Sequence, residues 1–279
     1  MSHSTKRKVP PLSPERADKE HLEKMGDRPR KRVKQGDQLS GEPWPKLPTT
    51  THYLPVALGG SHWCGENSFE TIVIFGDSYS KSNEVEHGGP DTWVECVLGN
   101  SRKESPIRVL NFASPGATVE DDLHSQFSSF KRILCEVPLD GERTTYFFYL
   151  GINDCGRTHS DDLEPIVEVI FDTMHDLYTK FSAKNFVLID VPPIDRSPGA
   201  VESSSVDDIE ERVQTWNELL RTQANDFAKG SSNATVFMFS SHHVLSEVLD
   251  EPLDLDFTED DPETEGGGIW ADELHLTPA

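Results

Sequence analysis

Apolar residues gather in five short, almost unbroken runs, at 71–75 (TIVIF), 107–112 (IRVLNF), 145–150 (TYFFYL), 185–190 (NFVLID) and 234–239 (ATVFMF). Runs with little polar alternation suit strands that are covered on both faces. The segments between them have a different period, and 119–135, 162–181 and 206–229 read as helices. Within 162–181, Ile166, Ile170, Met174, Leu177 and Phe181 recur at spacings of three and four, which builds one apolar face. Strand–helix alternation repeated five times predicts an α/β fold: a three-layer sandwich around a five-stranded parallel sheet, joined by right-handed crossovers. Ligands in such sheets bind beyond the carboxyl ends of the strands. The chemistry is therefore expected just after residues 75, 112, 150, 190 and 239.

The flanks change the picture at the N-terminal end. Residues 1–48 are polar, charged and Pro-containing with no sustained apolar period, and are expected to be a disordered basic tail. Residues 49–70, with Trp44 just before and Trp63 inside, read as an approach segment that wraps onto the domain at 71–279. Charge divides the same way. Residues 1–50 hold 12 Lys and Arg against 7 Asp and Glu, which leaves 14 basic and 42 acidic residues for the rest. So acidic a body repels phosphate backbones, so nucleic acid is not expected as a ligand, and neutral or cationic substrates are favoured. In the tail, Arg28, Arg30, Lys31, Arg32 and Lys34 form a dense basic cluster, readable as a docking signal for an import receptor or as a solvated tail.

The N-terminus MSHSTKRKVPPLSP lacks the apolar run of a signal peptide, and no run of 18 apolar residues suggests a membrane span. The expected location is intracellular, cytoplasmic or nuclear, unless the natural start lies elsewhere. Cys64, Cys96, Cys135 and Cys155 are widely spaced with no CxxC pair, as expected of reduced thiols, and the sequon at Asn233 matters only in a secreted protein.

Four loops carry candidate chemistry. After the first strand comes Gly76-Asp77-Ser78, where a serine on a tight turn into a helix either presents a hydroxyl above the sheet or caps that helix. After the second comes a turn with Gly116, which either brings a backbone N–H to a developing oxyanion or leads into the next helix. After the third comes Gly151-Ile152-Asn153-Asp154, in which the Asn153 amide is either a neutral oxyanion donor or part of an Asx turn. Near the C-terminus Asp272 and His275 lie three apart, on one face of a helical turn. That spacing is not selective, because Asp121/His124 and Asp172/His175 share it. Asp172 falls mid-helix, far from the strand ends, whereas Asp121 begins a helix on the correct side of the sheet and competes.

These four blocks, in this order over residues 71–277, resemble those of the SGNH (GDSL-like) hydrolases, and FGDSYS, GINDCG and GGGIWADELH are most similar to the fungal carbohydrate esterases that remove acetyl groups from plant oligosaccharides. The resemblance implies a flavodoxin-like sheet and a serine esterase without metal or organic cofactor. Ser78 would be the nucleophile, His275 the general base and Asp272 its orienting group. The N–H groups of Ser78 and Gly116 and the Asn153 amide would form the oxyanion hole. Trp93 and Trp270 would line the acyl or sugar site, or pack in the core. Two positions depart from the pattern: Tyr79 stands where leucine is usual, and the chain ends four residues after His275, so the closing helix of relatives is expected to be missing. The expected activity is hydrolysis of short-chain acetyl esters, on small-molecule or oligosaccharide substrates. A lipid or thioester hydrolase of the same fold and a non-catalytic binding protein are the alternatives. An α/β-hydrolase is disfavoured, since Gly-x-Ser-x-Gly is absent.

Overall fold

The computed structural model describes residues 56–59, 63–81, 92–99, 106–135, 138–203 and 205–277. Contacts separate residues 1–49 from residues 50–279, and everything described belongs to the second group. The tail and its basic cluster therefore lie outside the described residues.

A parallel sheet forms from Thr71–Gly76 (β2), Arg108–Asn111 (β3), Thr144–Tyr149 (β4), Asn185–Ile189 (β5) and Thr235–Phe239 (β6). β4, TTYFFY, is buried at every position, because an interior strand with aromatic residues on both faces needs cover on both. The expected count of five is one short. Val56–Gly59 (β1) pairs antiparallel with β6, and the order is β1-β6-β5-β4-β2-β3. Four residues reading VALG, in a stretch expected only to approach the domain, carry too little periodicity to show as a strand.

Among the described residues seven α-helices follow in chain order: Trp93–Gly99 (α1), Val119–Leu134 (α2), Ile152–Arg157 (α3), Leu163–Phe181 (α4), Pro198–Ser203 (α5), Val206–Gly230 (α6) and Ser241–Asp250 (α7). On one face of the sheet, Phe130 of α2 meets Phe75 and Tyr146, while Phe227 of α6 meets Phe186. Phe171 of α4 packs on Phe227, which ties these helices into one layer. On the other face Trp93 of α1 and Phe69 pack on Phe147, and Trp63 on Phe237. Helices therefore lie on both faces, as a three-layer sandwich requires.

Local signals set the helix ends. The Thr118 hydroxyl accepts from Asp121 N–H, and Asp122 answers by accepting from Thr118 N–H, a reciprocal cap that starts α2. α4 stops where Ser182 turns left-handed (φ 57°) and Ala183 N–H reaches back to Leu177 C=O.

The strand order decides where the site lies. The chain leaves β2 toward β3 on one side, then returns to place β4 on the other, so a crevice opens at the carboxyl ends of β2 and β4. Ser78 and Asn153 follow β2 and β4 there, and the Gly116 turn follows the adjoining strand β3. Among the described residues no helix is long and apolar enough to cross a membrane.

Candidate active site

Ser78 sits in the turn that leaves β2, where Ser80 N–H donates to Asp77 C=O and Lys81 N–H to Ser78 C=O. A helix was expected to begin at once. The turn forms instead because the Asp77 carboxylate accepts from Tyr79 N–H at 2.9 Å and holds the backbone in an Asx turn. Gly76 is needed for close approach: a β-carbon there would lie 2.8 Å from Ser80 Oγ and 3.2 Å from Tyr149 C=O. The buried Gln126 side chain of α2 then brackets Gly76, accepting from its N–H at 3.0 Å and donating to its C=O at 2.8 Å. Asn111, at the end of β3, donates to Ser80 C=O at 2.7 Å and accepts from Ala113 N–H at 2.9 Å. Gln126 and Asn111 brace the turn, and only their hydrogen bonds in the folded chain, which no sequence pattern displays, identify them.

The second and third loops hold each other. Gly116 is left-handed at φ 72°, which glycine adopts without strain. Asn153 donates to Ala117 C=O at 3.0 Å, and both oxygens of Asp154 accept from Val119 N–H. An amide carries two N–H groups, so this bond leaves Asn153 a second donor.

The C-terminal loop completes the group. His275 Nε2 lies 2.8 Å from Ser78 Oγ, and His275 Nδ1 lies 2.9 Å from Asp272 Oδ2. The expected helical turn is absent: residues 271–274 are bends. Asp272 Oδ1 instead accepts from the N–H groups of Leu274 and His275, at 2.8 and 2.6 Å, which folds the loop around the carboxylate. Burial tends to raise the Asp272 carboxyl, but the N–H groups of His275 and Leu274 together with the imidazole outweigh it and hold it below its usual value. An ionised Asp272 favours the tautomer with the imidazole proton on Nδ1, which leaves Nε2 as an acceptor facing Ser78 Oγ. Asp121/His124 and Asp172/His175 lie exposed on α2 and α4, and it is His275 whose ring bonds Ser78.

The two tryptophans separate. Trp93 is half-buried and donates its indole N–H to Ser80 Oγ at 3.0 Å. It also borders a cavity of about 1370 Å³ that Ser78 and His275 reach. Trp270 is fully buried among Leu245, Leu249 and Ile269, and its indole N–H donates to Pro262 C=O at 3.0 Å. Of the two roles open to it, Trp270 takes core packing, anchoring the loop that carries Asp272 and His275, and does not line the site. Among the described residues no group of three or more His, Cys, Asp or Glu is arranged to hold a metal ion.

Residues 72–279 match the family described as GDSL-like Lipase/Acylhydrolase. The chain belongs to the GDSL-like lipase/acylhydrolase family. With that family comes the reaction class, hydrolysis of carboxylic esters. An acetylesterase of Thermothelomyces thermophilus is 26% identical to this GDSL hydrolase over 74% of the chain and 83% of the relative. Among solved structures, the acetyl xylan esterase AlAXEase superposes with a TM-score of 0.50 at 15% identity, covering 75% of this chain and 92% of its own. A Veillonella parvula member of the lipolytic G-D-S-L family gives 0.48 at 18% identity, covering 75% and 90%.

Beneath the serine of this GDSL hydrolase, Asp77 is buried with Oδ2 unpartnered among the described residues. Burial pushes its carboxyl up to about 7, aided by the neighbouring Asp154, which burial raises to about 6. Between about pH 4 and pH 7 the unfolded chain ionises here while the folded chain keeps its proton, so stability falls as pH rises through that window. Asp77→Asn keeps the acceptor for Tyr79 N–H and removes the titration. Relative to the parent it is expected to gain on the order of 2–3 kcal/mol between pH 4.5 and pH 8. Guanidinium unfolding at several pH values reads this directly, and parallel curves for the two proteins would exclude a buried proton at Asp77.

Proposed function

We propose that this protein is a serine esterase that removes short acyl groups, acetyl above all, from carbohydrate esters through a covalent acyl-enzyme. The observation that carries the reading is the unbroken hydrogen-bond relay from Asp272 through His275 to Ser78, set at the mouth of a cavity. In the first step His275 Nε2 takes the Ser78 proton as Oγ attacks the ester carbonyl. The N–H groups of Ser78 and Gly116 and the free N–H of Asn153 meet the charge that develops on the carbonyl oxygen. His275 returns the proton to the departing alcohol. Water then attacks the acyl group on Ser78, with His275 as base again, releasing the acid. The strongly acidic body favours an uncharged sugar ester over an anionic one, and the acetylesterase relative agrees with a small acyl group.

A lipid or thioester substrate is the second reading, and one observation favours it. The cavity beside Ser78 runs along the sheet face past Phe147, Val187 and Phe237, an apolar surface onto which an acyl chain could lie. A p-nitrophenyl ester series from acetate to octanoate separates the two. Acetate is expected to give the highest kcat/KM, with a steady fall beyond butyrate; a rise toward octanoate would replace the acetyl reading with the lipid one. A phosphonate that reacts with activated serines is expected to add once, at Ser78. An unlabelled Ser78 in folded protein would end the esterase mechanism and leave a binding role.

A further inference from the structure

The loop that carries the base is irregular from 271 to 275, so something outside it must fix how far His275 stands from Ser78. Its own bonds point elsewhere. Glu273 C=O accepts from Gly199 N–H of α5, and Ala271 N–H and Thr277 N–H close the loop on His275 C=O and Ile269 C=O. Those contacts hold the loop to α5 and to the small core around Trp270, at a distance from the β2 turn. Among the described residues, two hydrogen bonds cross from this loop to the nucleophile's turn. One is His275 to Ser78 itself. The other is formed by the chain neighbours of those two residues: the Tyr79 hydroxyl donates to Leu274 C=O at 2.6 Å. The Tyr79 ring also lies 5.6 Å from the His275 ring, inclined by 35°. On its other side the ring meets Tyr149 edge-on at 5.8 Å. Its backbone N–H is held by Asp77.

We infer that Tyr79 is a positioning residue that sets the serine–imidazole distance. Its hydroxyl ties the neighbour of the base to the neighbour of the nucleophile, and its ring limits how far the imidazole can tilt. A leucine at this position, usual in the resembling hydrolases, has no donor to offer Leu274 C=O. The inference rests on Ser78 and His275 acting as nucleophile and base. Because the bond acts through His275, it should matter only while His275 works.

A double-variant cycle tests this. Turnover is expressed per active site, by comparing p-nitrophenyl acetate hydrolysis with the amplitude of the Ser78 acylation burst where His275 is present, and with folded protein by circular dichroism where it is absent. Tyr79→Phe keeps the ring in its bed and is expected to lower kcat roughly 10–100-fold with KM changed less than about threefold, since the ester still binds while proton transfer is misaligned. It should slow phosphonate labelling of Ser78 by a similar factor. In a His275→Ala background the same change is expected to alter the residual rate less than about twofold, the non-additivity of residues acting as one unit. Tyr79→Leu should lose at least as much as Tyr79→Phe. An unchanged kcat per active site in Tyr79→Phe, with or without a lower melting temperature, would overturn the inference and make the bond purely structural. Equal losses with and without His275 would overturn it as well, since Tyr79 would then act by another route. Full activity in His275→Ala alone would instead overturn the reading of the base, an outcome separate from either.

Discussion

Ser78→Ala and His275→Ala are each expected to lower kcat/KM for p-nitrophenyl acetate by more than about a thousandfold, and the double variant by no more than the worse single one. Without Ser78 Oγ there is nothing to acylate. Without His275 Nε2 the hydroxyl keeps its proton, and an alcohol is a poor nucleophile at neutral pH. The effects do not add, because each residue serves the same proton transfer. What activity remains would come from the proposed oxyanion donors at the Gly116 turn and Asn153. Stability should hardly move, since the His275 side chain is about 41% exposed and Ser78, itself only half-buried, loses a single oxygen. Melting temperatures within about 2 °C of the parent should therefore accompany the kinetic collapse. Survival of activity in either variant would mean that another serine or another base performs the reaction.

Gly151→Ala is expected to be the most damaging small substitution for stability. Gly151 sits at φ 121°, a backbone conformation that L residues rarely adopt. A β-carbon there would fall 2.3 Å from the Trp216 ring. The ring has no room to retreat: Trp216 is fully buried in α6, and its neighbour Asn217 is bonded to both the N–H and the C=O of Val191 at the end of β5. Moving the ring means shifting a 25-residue helix against the sheet. Backbone strain and overpacking together are expected to cost about 3–5 kcal/mol. For a domain of this size that is a fall in melting temperature on the order of 10 °C or more. Thermal unfolding by circular dichroism checks it. A shift of less than about 2 °C would show that Trp216 can give way. Asn153 lies two residues on, so the folded remainder should also lose turnover through a displaced amide.

Much of this was legible in the linear pattern. Long apolar runs such as TIVIF and TYFFYL require burial on both faces, and α4 shows its buried side in the spacing of Ile166, Ile170, Met174 and Leu177. Those are local properties, repeated often enough to fix the class of fold. The order of the motif blocks then led to Ser78, Asp272 and His275 because each is short and contiguous. β1 escaped notice because a four-residue antiparallel edge strand is defined by its partner β6, not by its own period. The spacing of Asp272 and His275 suits a helical turn equally well, because spacing alone does not distinguish a helical turn from a carboxylate that gathers two N–H groups. Trp270 had two roles open to it, since a large aromatic residue suits a core and a sugar site equally, and only burial decides between them.

The division follows from range. Periodicity, chain punctuation and motif order act over a few residues, so the primary structure by itself specified the α/β class, the strand ends where the candidate chemistry lies, and the candidate nucleophile, base and orienting carboxylate. Contacts between residues 30 to 200 positions apart needed the folded chain. These include Gln126 around Gly76, Asp154 on Val119, Trp216 against Gly151 and Tyr79 on Leu274. The polar partners among them are chosen by burial, where an unpaired polar group is costly and a neighbouring backbone group removes the cost, whereas Trp216 against Gly151 is a steric fit. The sequence therefore names the candidate reacting groups, while packing in three dimensions sets the 2.8 Å between His275 and Ser78.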